Sequence, residues 1–261
     1  GAITASGNVS ATGGDITGNS ISASGNITAN SGSINAGSGA ITTSGNVSAT
    51  GGDITGGSID AVDGNITAVS ASGDGTGGKV TSTSGNVTAK NINAGATESE
   101  GQVVVHAVES VTAAGDVTLT GALTSKTVSA TGDITAANIN GGMSGEDVDH
   151  LNAQAADSVE AKGSIKASGG VITAKAVTAN ADIEADEING GYDADTGELK
   201  KADSVKASGA ITAERIDATD VAADSLSATT VDASNVSAAT ISAETVTVDQ
   251  SLTADEVEVT D

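Results

Sequence analysis

Branched apolar residues recur along this chain at intervals of five to seven positions. In the first quarter of the sequence they stand at Ile3, Val9, Ile16, Ile21, Ile27, Ile34, Ile41, Val47, Ile54, Ile59 and Ile66. Three consecutive intervals always sum to about 19 residues, the length of one turn in many solenoid repeats. This spacing predicts a coil with three short strands per turn, which is an all-β fold of the parallel β-helix or β-solenoid class.

Each repeat unit resembles the tripeptide Val9–Ala11, with a branched residue, a hydroxyl residue and a small residue. Because side chains alternate between the two faces of a strand, the branched and small residues share the inner face and the hydroxyl faces outwards. Turn-forming Gly-Asn, Gly-Gly-Asp and Ser-Gly sequences separate the units. The string at Gly7–Gly18 recurs unchanged at Gly45–Gly56, which indicates tandem repeats.

A Gly-Asn dipeptide precedes a predicted strand once in each of several turns. Its asparagines are Asn8, Asn26, Asn46, Asn65 and Asn86. Their nearly constant spacing, close to one turn each time, predicts one recurring corner where the asparagines stack into a hydrogen-bonded ladder. All five begin Asn-X-Ser/Thr sequons, as does Asn235, and glycosylation at these six sites is the alternative interpretation.

From Ile211 to Val246 the spacing of branched residues tightens to five without exception. From Ile211 they stand at Ile216, Val221, Leu226, Val231, Val236, Ile241 and Val246. Three such intervals make a 15-residue triangular turn, and four make a 20-residue square one. We favour three sides, which keep this segment continuous with the coil before it.

The repeat lapses at 93–108, 140–156 and 189–202, where related sequences leave and re-enter the pattern. These stretches predict loops that protrude from one corner, the usual place for variable function on a solenoid. A capping-box pattern favours a short helix within Met143–Ala156. Residues Tyr192–Leu199 are typical of a hairpin tip. His150 and Tyr192 are the candidate contact residues of these loops.

The chain therefore divides into three segments of one continuous domain. Residues 1–90 form a regular glycine-rich coil with 18–20-residue turns, and residues 91–209 form a coil with protruding loops. Residues 210–261 form a glycine-free coil with a five-residue repeat. We expect about 14 turns and a rod of some 65 Å.

The composition fits a narrow coil better than a thick globule. The chain has 35 Gly, one Tyr and no Pro, Cys, Trp or Phe, so Ile, Val, Leu and Ala must fill a thin core. Regularly spaced β-branched residues argue against disorder despite the net charge of -24. That charge disfavours nucleic acid and anionic membranes as partners, and no apolar run is long enough for membrane insertion.

No pattern of residues indicates catalysis, a metal site or a cofactor. Without cysteine there is no disulfide framework and no thiolate metal ligand. Polysaccharide-cleaving β-helices need grouped carboxylates, or basic residues beside a metal, and aromatic platforms for sugar rings, whereas Tyr192 is the one aromatic residue here. Threonine mixes with Ser, Asp and Asn along each face, which disfavours an ice-binding array. The sequence therefore predicts no enzyme activity.

Units such as Gly7–Gly18 resemble the roughly 19-residue repeats of filamentous-haemagglutinin-type adhesins over most of residues 1–135. This resemblance implies a secreted, right-handed β-helix, surface display and adhesion. The chain is also similar in architecture to the bactofilins, which polymerise end to end, and in period to pentapeptide-repeat coils. None of these families has functional residues that match this chain one by one.

The strand pattern runs to both ends of the sequence, from Ala2, Ile3 and Thr4 to Val257 and Val259. Uncapped strand edges favour head-to-tail addition, so we expect an extracellular or cell-surface homopolymer that joins through these residues. The start at Gly1 is most simply explained by removal of a leader. The alternative is an adhesin segment whose corner loops bind a surface glycan or the cell envelope.

Overall fold

A computed structural model of this chain describes residues 1–69, 78–99, 102–145, 151–167, 170–192, 196 and 198–259. The described part is all β and contains no helix, and its large sheet pairs strands in parallel. The prediction of a parallel β-solenoid is therefore confirmed.

Most strands in the first half of the chain are short, and glycine-rich turns separate them. They are β1 (Ala2–Ala5), β2 (Val9–Ala11), β3 (Ile16–Thr17), β4 (Ser20–Ala23), β5 (Ile27–Ala29), β6 (Ile34–Asn35), β7 (Ala40–Thr43), β8 (Val47–Ala49), β9 (Ile54–Gly56), β10 (Ser58–Ala68), β11 (Lys79–Ser82), β12 (Val87–Asn93), β13 (Ala96–Ser99), β14 (Gln102–Val105), β15 (Val108–Ala113) and β16 (Val117–Leu119). The remaining strands are β17 (Ala122–Ala130), β18 (Ile134–Ala136), β19 (Asn138–Asn140), β20 (Met143–Gly145), β21 (Leu151–Ala153), β22 (Ala156–Ala161), β23 (Ile165–Ala167), β24 (Val171–Ala179), β25 (Ile183–Glu184), β26 (Glu187–Asn189), β27 (Ala202–Ala207), β28 (Ala210–Thr253) and β29 (Glu256–Val259).

The strands stack so that inward branched residues form three rows along the axis, named here rows A, B and C. Row A is Ile3, Ile21, Ile41, Ile59, Val87, Val117, Ile134, Ile165, Ile183 and Ile211. Row B is Val9, Ile27, Val47, Ile66, Ile92, Leu123, Ile139, Ile172, Ile188 and Ile216. Row C is Ile16, Ile34, Ile54, Val80, Val111, Val128, Val159, Val177, Val205 and Val221.

These three rows are the core of the molecule. Every row residue from Ile16 onwards is buried, and Ile3 and Val9 in the first coil are partly buried against the cluster. Burying one such side chain contributes about 1.5–3 kcal/mol. Because neighbouring coils lie only about 4.8 Å apart, each branched side chain packs on its equivalents above and below, and no aromatic residue is needed to fill the interior.

The length of a coil differs between the two ends of the molecule. In the first coils, asparagines that stack just before row B lie 18, 20 and 19 residues apart, at Asn8, Asn26, Asn46 and Asn65. Near the other end, Asn235 just before Val236 bonds Asp220 just before Val221, and these two residues are 15 residues apart. Three five-residue sides account for that step, so the C-terminal coil has three sides, as predicted.

All the long detours of the chain leave the coil at one corner, between row B and row C. They separate Ile66 from Val80, Ile92 from Val111, Ile139 from Val159, and Ile188 from Val205. Two coils between them have no detour, since Leu123 and Val128, like Ile172 and Val177, are separated by a single short side. The first detour lies within the segment predicted to be regular, and it makes Ile59 pair with Val87 across an enlarged coil.

Two of the detours join into a four-stranded antiparallel sheet, which is named here the hairpin sheet. Its order is β13-β14-β20-β21. Val105 of β14 pairs with Met143 of β20, which in turn pairs with Ala153 of β21. The predicted helix within Met143–Ala156 is therefore wrong: both ends of that segment are strands, because pairing with β14 outweighs the local capping signal. His150 falls in 146–150, outside the described residues.

The third detour continues this arrangement. Tyr192 and Leu199 form an antiparallel bridge, which confirms the predicted hairpin. A Cβ placed on Gly191 would lie 2.9 Å from the backbone nitrogen of Ala155, so this hairpin lies beside the preceding one. The three hairpins leave the coils of Ile92, Ile139 and Ile188, which are alternate coils of row B. The first two hairpins have two strands each, so one hairpin for every two coils matches the spacing of the hairpin sheet to that of the coils beneath it.

Candidate functional site

Five asparagines just before row B stack along the outside of the coil and form what we name the asparagine row. Its members are Asn8, Asn26, Asn46, Asn65 and Asn91. The Oδ1 atoms of the first three accept hydrogen bonds of 2.8, 2.9 and 2.8 Å from the backbone N–H of the next member. The predicted ladder is confirmed, and it satisfies the backbone at this corner.

Asn86 does not belong to this row. It precedes Val87 of row A, and its Oδ1 accepts a 3.0 Å hydrogen bond from the backbone N–H of Asp116. The number of residues between Asn65 and Asn86 equals one turn only by coincidence. The detour after Ile66 lengthens this coil, so the residue that stacks on Asn65 is Asn91, 26 residues further along the chain. The prediction of one corner for all five Gly-Asn sites is therefore wrong for this residue.

The candidate glycosylation asparagines differ in exposure. Asn8, Asn26, Asn46 and Asn86 are exposed, whereas Asn65 and Asn235 are half-buried. The Nδ2 of Asn235 also donates a 2.7 Å hydrogen bond to Asp220. Glycosylation at all six stays a prediction, and the exposed four present their side chains best.

Each hairpin begins with the same local structure. An asparagine follows the row B residue, and a glycine stands two positions after that asparagine. The asparagine Oδ1 accepts a hydrogen bond from the glycine N–H. The pairs are Asn93–Gly95, Asn140–Gly142 and Asn189–Gly191. All three glycines have positive φ, at 95°, 130° and 83°. A residue with a Cβ rarely adopts this conformation, so the Asn-X-Gly sequence fixes where the chain leaves the coil.

The hairpins cover the outer side of row B. The residues that follow row B are buried through five consecutive coils, at Thr124, Asn140, Thr173, Asn189 and Asp217, with exposures of 1–4%. The equivalent Thr28, Ser48 and Thr67 in the uncovered part of the coil are half-buried. Sequence reasoning missed this buried polar surface, although asparagine in place of Ser or Thr after row B is a visible signal for it.

A cavity of about 290 Å³ lies between this covered surface and the hairpins. Asn138, Asn140, Thr173 and Asn189 line it from the coil. The hairpins contribute Met143, Ala153 and Tyr192, the last of which is 37% exposed. The structure thus brings Tyr192, one of the two predicted loop-contact residues, beside side chains that sequence reasoning did not select.

A second, larger concavity of about 410 Å³ follows the C-terminal coils. Glu184, Asp186, Glu214 and Glu244 line it together with small and hydroxyl residues. Lys166 forms an ion pair of 2.8 Å with Glu184 at its upstream end. This concavity is an acidic groove where the coil narrows.

Lys201 connects the third hairpin with the C-terminal coils, and a second ion pair lies within those coils. The Nζ of Lys201 lies 2.8 Å from Asp232 and 3.4 Å from Asp249, and the hydrogen bond to Asp232 raises the pKa of Lys201. Arg215 binds the buried Asp217 through two hydrogen bonds of 2.6 and 3.1 Å, and this contact raises the pKa of Arg215. Both cations therefore stay charged. A charged partner stabilises the buried carboxylate of Asp217 and the carboxylates of Asp232 and Asp249 that Lys201 bridges.

The predicted polymer contacts lie at opposite ends of the coil. β1, which contains Ala2, Ile3 and Thr4, pairs with β4, and β29 pairs with residues 240–243 of β28. Val257 and Val259 of β29 are 45% and 57% exposed, which is high for large apolar side chains.

Within the described ranges there is no group of three or more His, Asp or Glu residues placed to hold a metal ion. The same residues include no helix of the length and apolarity that a membrane span needs. Comparison of the chain with protein-family models, curated proteins and solved structures gives no match.

Proposed function

We propose that this chain is a structural subunit of an extracellular or cell-surface filament in which coils continue head to tail from one copy to the next. The observation that carries the proposal is the in-register parallel ladder of rows A, B and C. Such a ladder presents backbone N–H and C=O groups along the rod axis at each end, so a coil of a second copy can extend it.

Exposed apolar side chains at β29 support the same contact. Val257 and Val259, together with Leu252 at 45% exposure, lie where a following coil would cover them. On the opposite end, Ile3 and Val9 are the least covered members of their rows. Stacking of these two surfaces buries branched side chains in the way that each internal coil already does.

The difference in coil length between the ends does not prevent stacking. In row C, Val177 stacks on Val159 across a full-length coil, and Val221 stacks on Val205 across a shorter one. Coils of both lengths therefore lie in one row within the molecule, and the same step can occur between copies.

The charge at the two ends of the molecule determines how assembly depends on salt. Asp249, Asp255, Glu256 and Glu258 all lie near the last described coil, whereas the first coil has the single acid Asp15. No cluster of basic residues faces this acidic end in the first coil, and the whole chain carries a net charge of -24. We expect added salt to promote assembly, because ions screen repulsion over distances beyond about 10 Å at ~0.1 M.

Light scattering and negative-stain electron microscopy over a series of salt concentrations test the filament. The double variant V257E/V259E places charge on the end surface, and V62E is its control because Val62 is 61% exposed on the side of the coil. We expect fibres from the unmodified protein and from V62E, and monomers from V257E/V259E. If the unmodified protein stays monomeric at high concentration at every salt and pH, the proposal is wrong.

Adhesion through the hairpins is a second candidate function. It is favoured by the hairpins at 93–108, 140–156 and 189–202, which lie side by side at one corner and enclose a cavity. Removing a hairpin distinguishes the two functions. Filaments that form normally but no longer attach to a surface support adhesion, whereas loss of filaments assigns the hairpins to the lattice.

A further inference from the structure

The cavity between row B and the hairpins has the features of a built binding site. Its volume is about 290 Å³, close to the lower end of the ~300–1,000 Å³ range of small-molecule pockets. Three polar side chains that line it are almost fully buried: Asn140 at 4%, Thr173 at 1% and Asn189 at 2% exposure. Asn140 and Asn189 also start two of the hairpins, so the same side chains fix the hairpin turns and line the cavity.

Hydrogen bonds within the protein hold these side chains in place. The Oδ1 of Asn140 accepts a 3.1 Å bond from the N–H of Gly142, and the Oδ1 of Asn189 accepts one of 2.9 Å from Gly191. The Nδ2 of Asn189 donates a 2.9 Å bond to Oε1 of Glu187, which also lines the cavity. The site is therefore organised before any ligand arrives, which lowers the entropic cost of binding.

The chemistry of the lining favours a ligand rich in hydroxyl groups over an anion. Amide and hydroxyl side chains offer both donors and acceptors, and the carboxylate of Glu187 adds an acceptor. Among the described residues that line the cavity there is no Lys, Arg or His, so an anion has no counter-charge. At the hairpin side, Met143 and the half-exposed ring of Tyr192 supply an apolar surface.

We propose that this cavity binds one neutral saccharide unit. The hydroxyls of a pyranose pair with Asn140, Thr173, Asn189 and Glu187, and its apolar C–H face packs on the ring of Tyr192. The proposal does not depend on filament assembly. It gives a ligand class to the second candidate function, which places recognition at the same hairpins.

Tyr192 makes the site directly observable, because the chain has no Trp, no Phe and no other Tyr. Its intrinsic fluorescence reports on the cavity alone. The test titrates the purified chain with glucose, galactose, mannose and N-acetylglucosamine, and follows the same mixtures by saturation-transfer NMR. We expect at least one of these sugars to give a saturable change in fluorescence and transfer to its ring protons.

Two isosteric variants identify the site. Thr173→Val removes the buried hydroxyl, and Thr28→Val makes the same change at the equivalent position after Ile27 of row B, far from the hairpins. We expect T173V to bind about tenfold more weakly, the effect of one lost hydrogen bond, and T28V to bind normally. Thermal unfolding checks that both are folded, and Y192A, followed by NMR, replaces T173V if that variant unfolds.

Three outcomes would overturn the proposal. The first is no saturation transfer to any of the four sugars, which means that the cavity holds only water. The second is equal binding by T173V and T28V, which places the sugar elsewhere. The third is a response to choline with none to sugars, which assigns the carboxylate of Glu187 and the ring of Tyr192 to a cation.

Discussion

At the scale of single residues, the Gly-Asn and Gly-Asp dipeptides serve the stacking of coils as much as the turning of the chain. The Oδ1 of Asn86 reaches the backbone N–H of Asp116 at 3.0 Å by passing directly under Gly115. A Cβ on Gly115 would overlap that oxygen. The glycine is therefore required by its neighbour one coil away, and not only by the conformation of its own turn.

Gly115→Ala should destabilise the protein by about 1–3 kcal/mol, because the added methyl group displaces Asn86 and breaks the hydrogen bond to Asp116. Urea unfolding measures the difference in the free energy of unfolding. Gly13→Ala is the matched control, since no atom lies within 4 Å of a Cβ at that position. Equal free energies for the two variants would show that the close approach has no energetic importance.

The residue pattern predicted this stacking only where successive turns have nearly equal length. It identified Asn8, Asn26, Asn46 and Asn65 correctly, because their steps of 18 to 20 residues each equal one coil. It failed at Asn86, where a detour changed the length of the turn without changing the local sequence. Local residue types specify a corner, but the length of the intervening chain decides which corner it is.

At the scale of elements, the coil between Ile92 and Val205 has two ways of turning the corner between rows B and C. The tight form is the short segment 173–176 between Ile172 and Val177, and the long form is a hairpin that starts at an Asn-X-Gly turn. Both return the chain to a valine of row C in register. The hairpins are therefore additions to a coil that closes without them.

Replacing residues 140–158 with Thr-Ala-Lys-Ala, the sequence of 173–176, should leave the coil folded and remove β20 and β21. Backbone amides of β14 then lose their pairing with β20, so we expect faster hydrogen exchange at 103–105. Amides of rows A and C serve as the internal control and should keep their protection. Unchanged protection of β14 would mean that the hairpin sheet contributes nothing to its stability.

The positions of the hairpins were visible in the sequence, but their partners were not. The regular spacing of inward branched residues stops at 93–108 and 140–156, and this interruption marks the two hairpins. The pairing of Val105 with Met143 joins two segments that the intervening coil separates in the sequence, and no periodicity encodes it. For the same reason the cavity and its asparagines could not be predicted, since they exist only where the hairpins cover row B.

At the scale of the whole molecule, Lys201 connects the hairpin region with the narrower C-terminal coils. It bonds Asp232 at 2.8 Å and Asp249 at 3.4 Å, which are 31 and 48 residues further along the chain. Such a contact opposes separation of the two parts of the rod, because one cation holds carboxylates from more than one coil.

Lys201→Met should lower the free energy of unfolding at neutral pH, and the loss should vanish at high pH. The hydrogen bond to Asp232 raises the pKa of Lys201 above 10.5 in the folded protein, so its contribution is full below the unfolded pKa and is lost as pH rises through the folded pKa. Urea unfolding at neutral pH and above about pH 11 measures this. Lys162→Met, at an exposed lysine, is the control, and a difference from it that persists at high pH would contradict the ion-pair explanation.

The overall shape was the most predictable property of the chain. Abundant glycine, no proline and no large aromatic core leave a thin, stacked coil as the architecture that buries enough Ile and Val. The three sides of the C-terminal coil followed from continuity with the rows before it, as the pairing of Val205 with Val221 shows. Rows of this kind are encoded by spacing alone, which is why sequence sufficed for them.

The alternation of hairpins with tight corners also limits how such a molecule changes its length. In the uncovered part of the rod, before Ile66, any whole number of coils can be added or lost. Between Ile92 and Ile139 a single added coil would leave a gap one strand wide in the hairpin sheet, and a single lost coil would force two hairpins to overlap. We therefore expect tandem duplication in that region to occur in steps of two coils, which would couple the number of hairpins to the length of the rod.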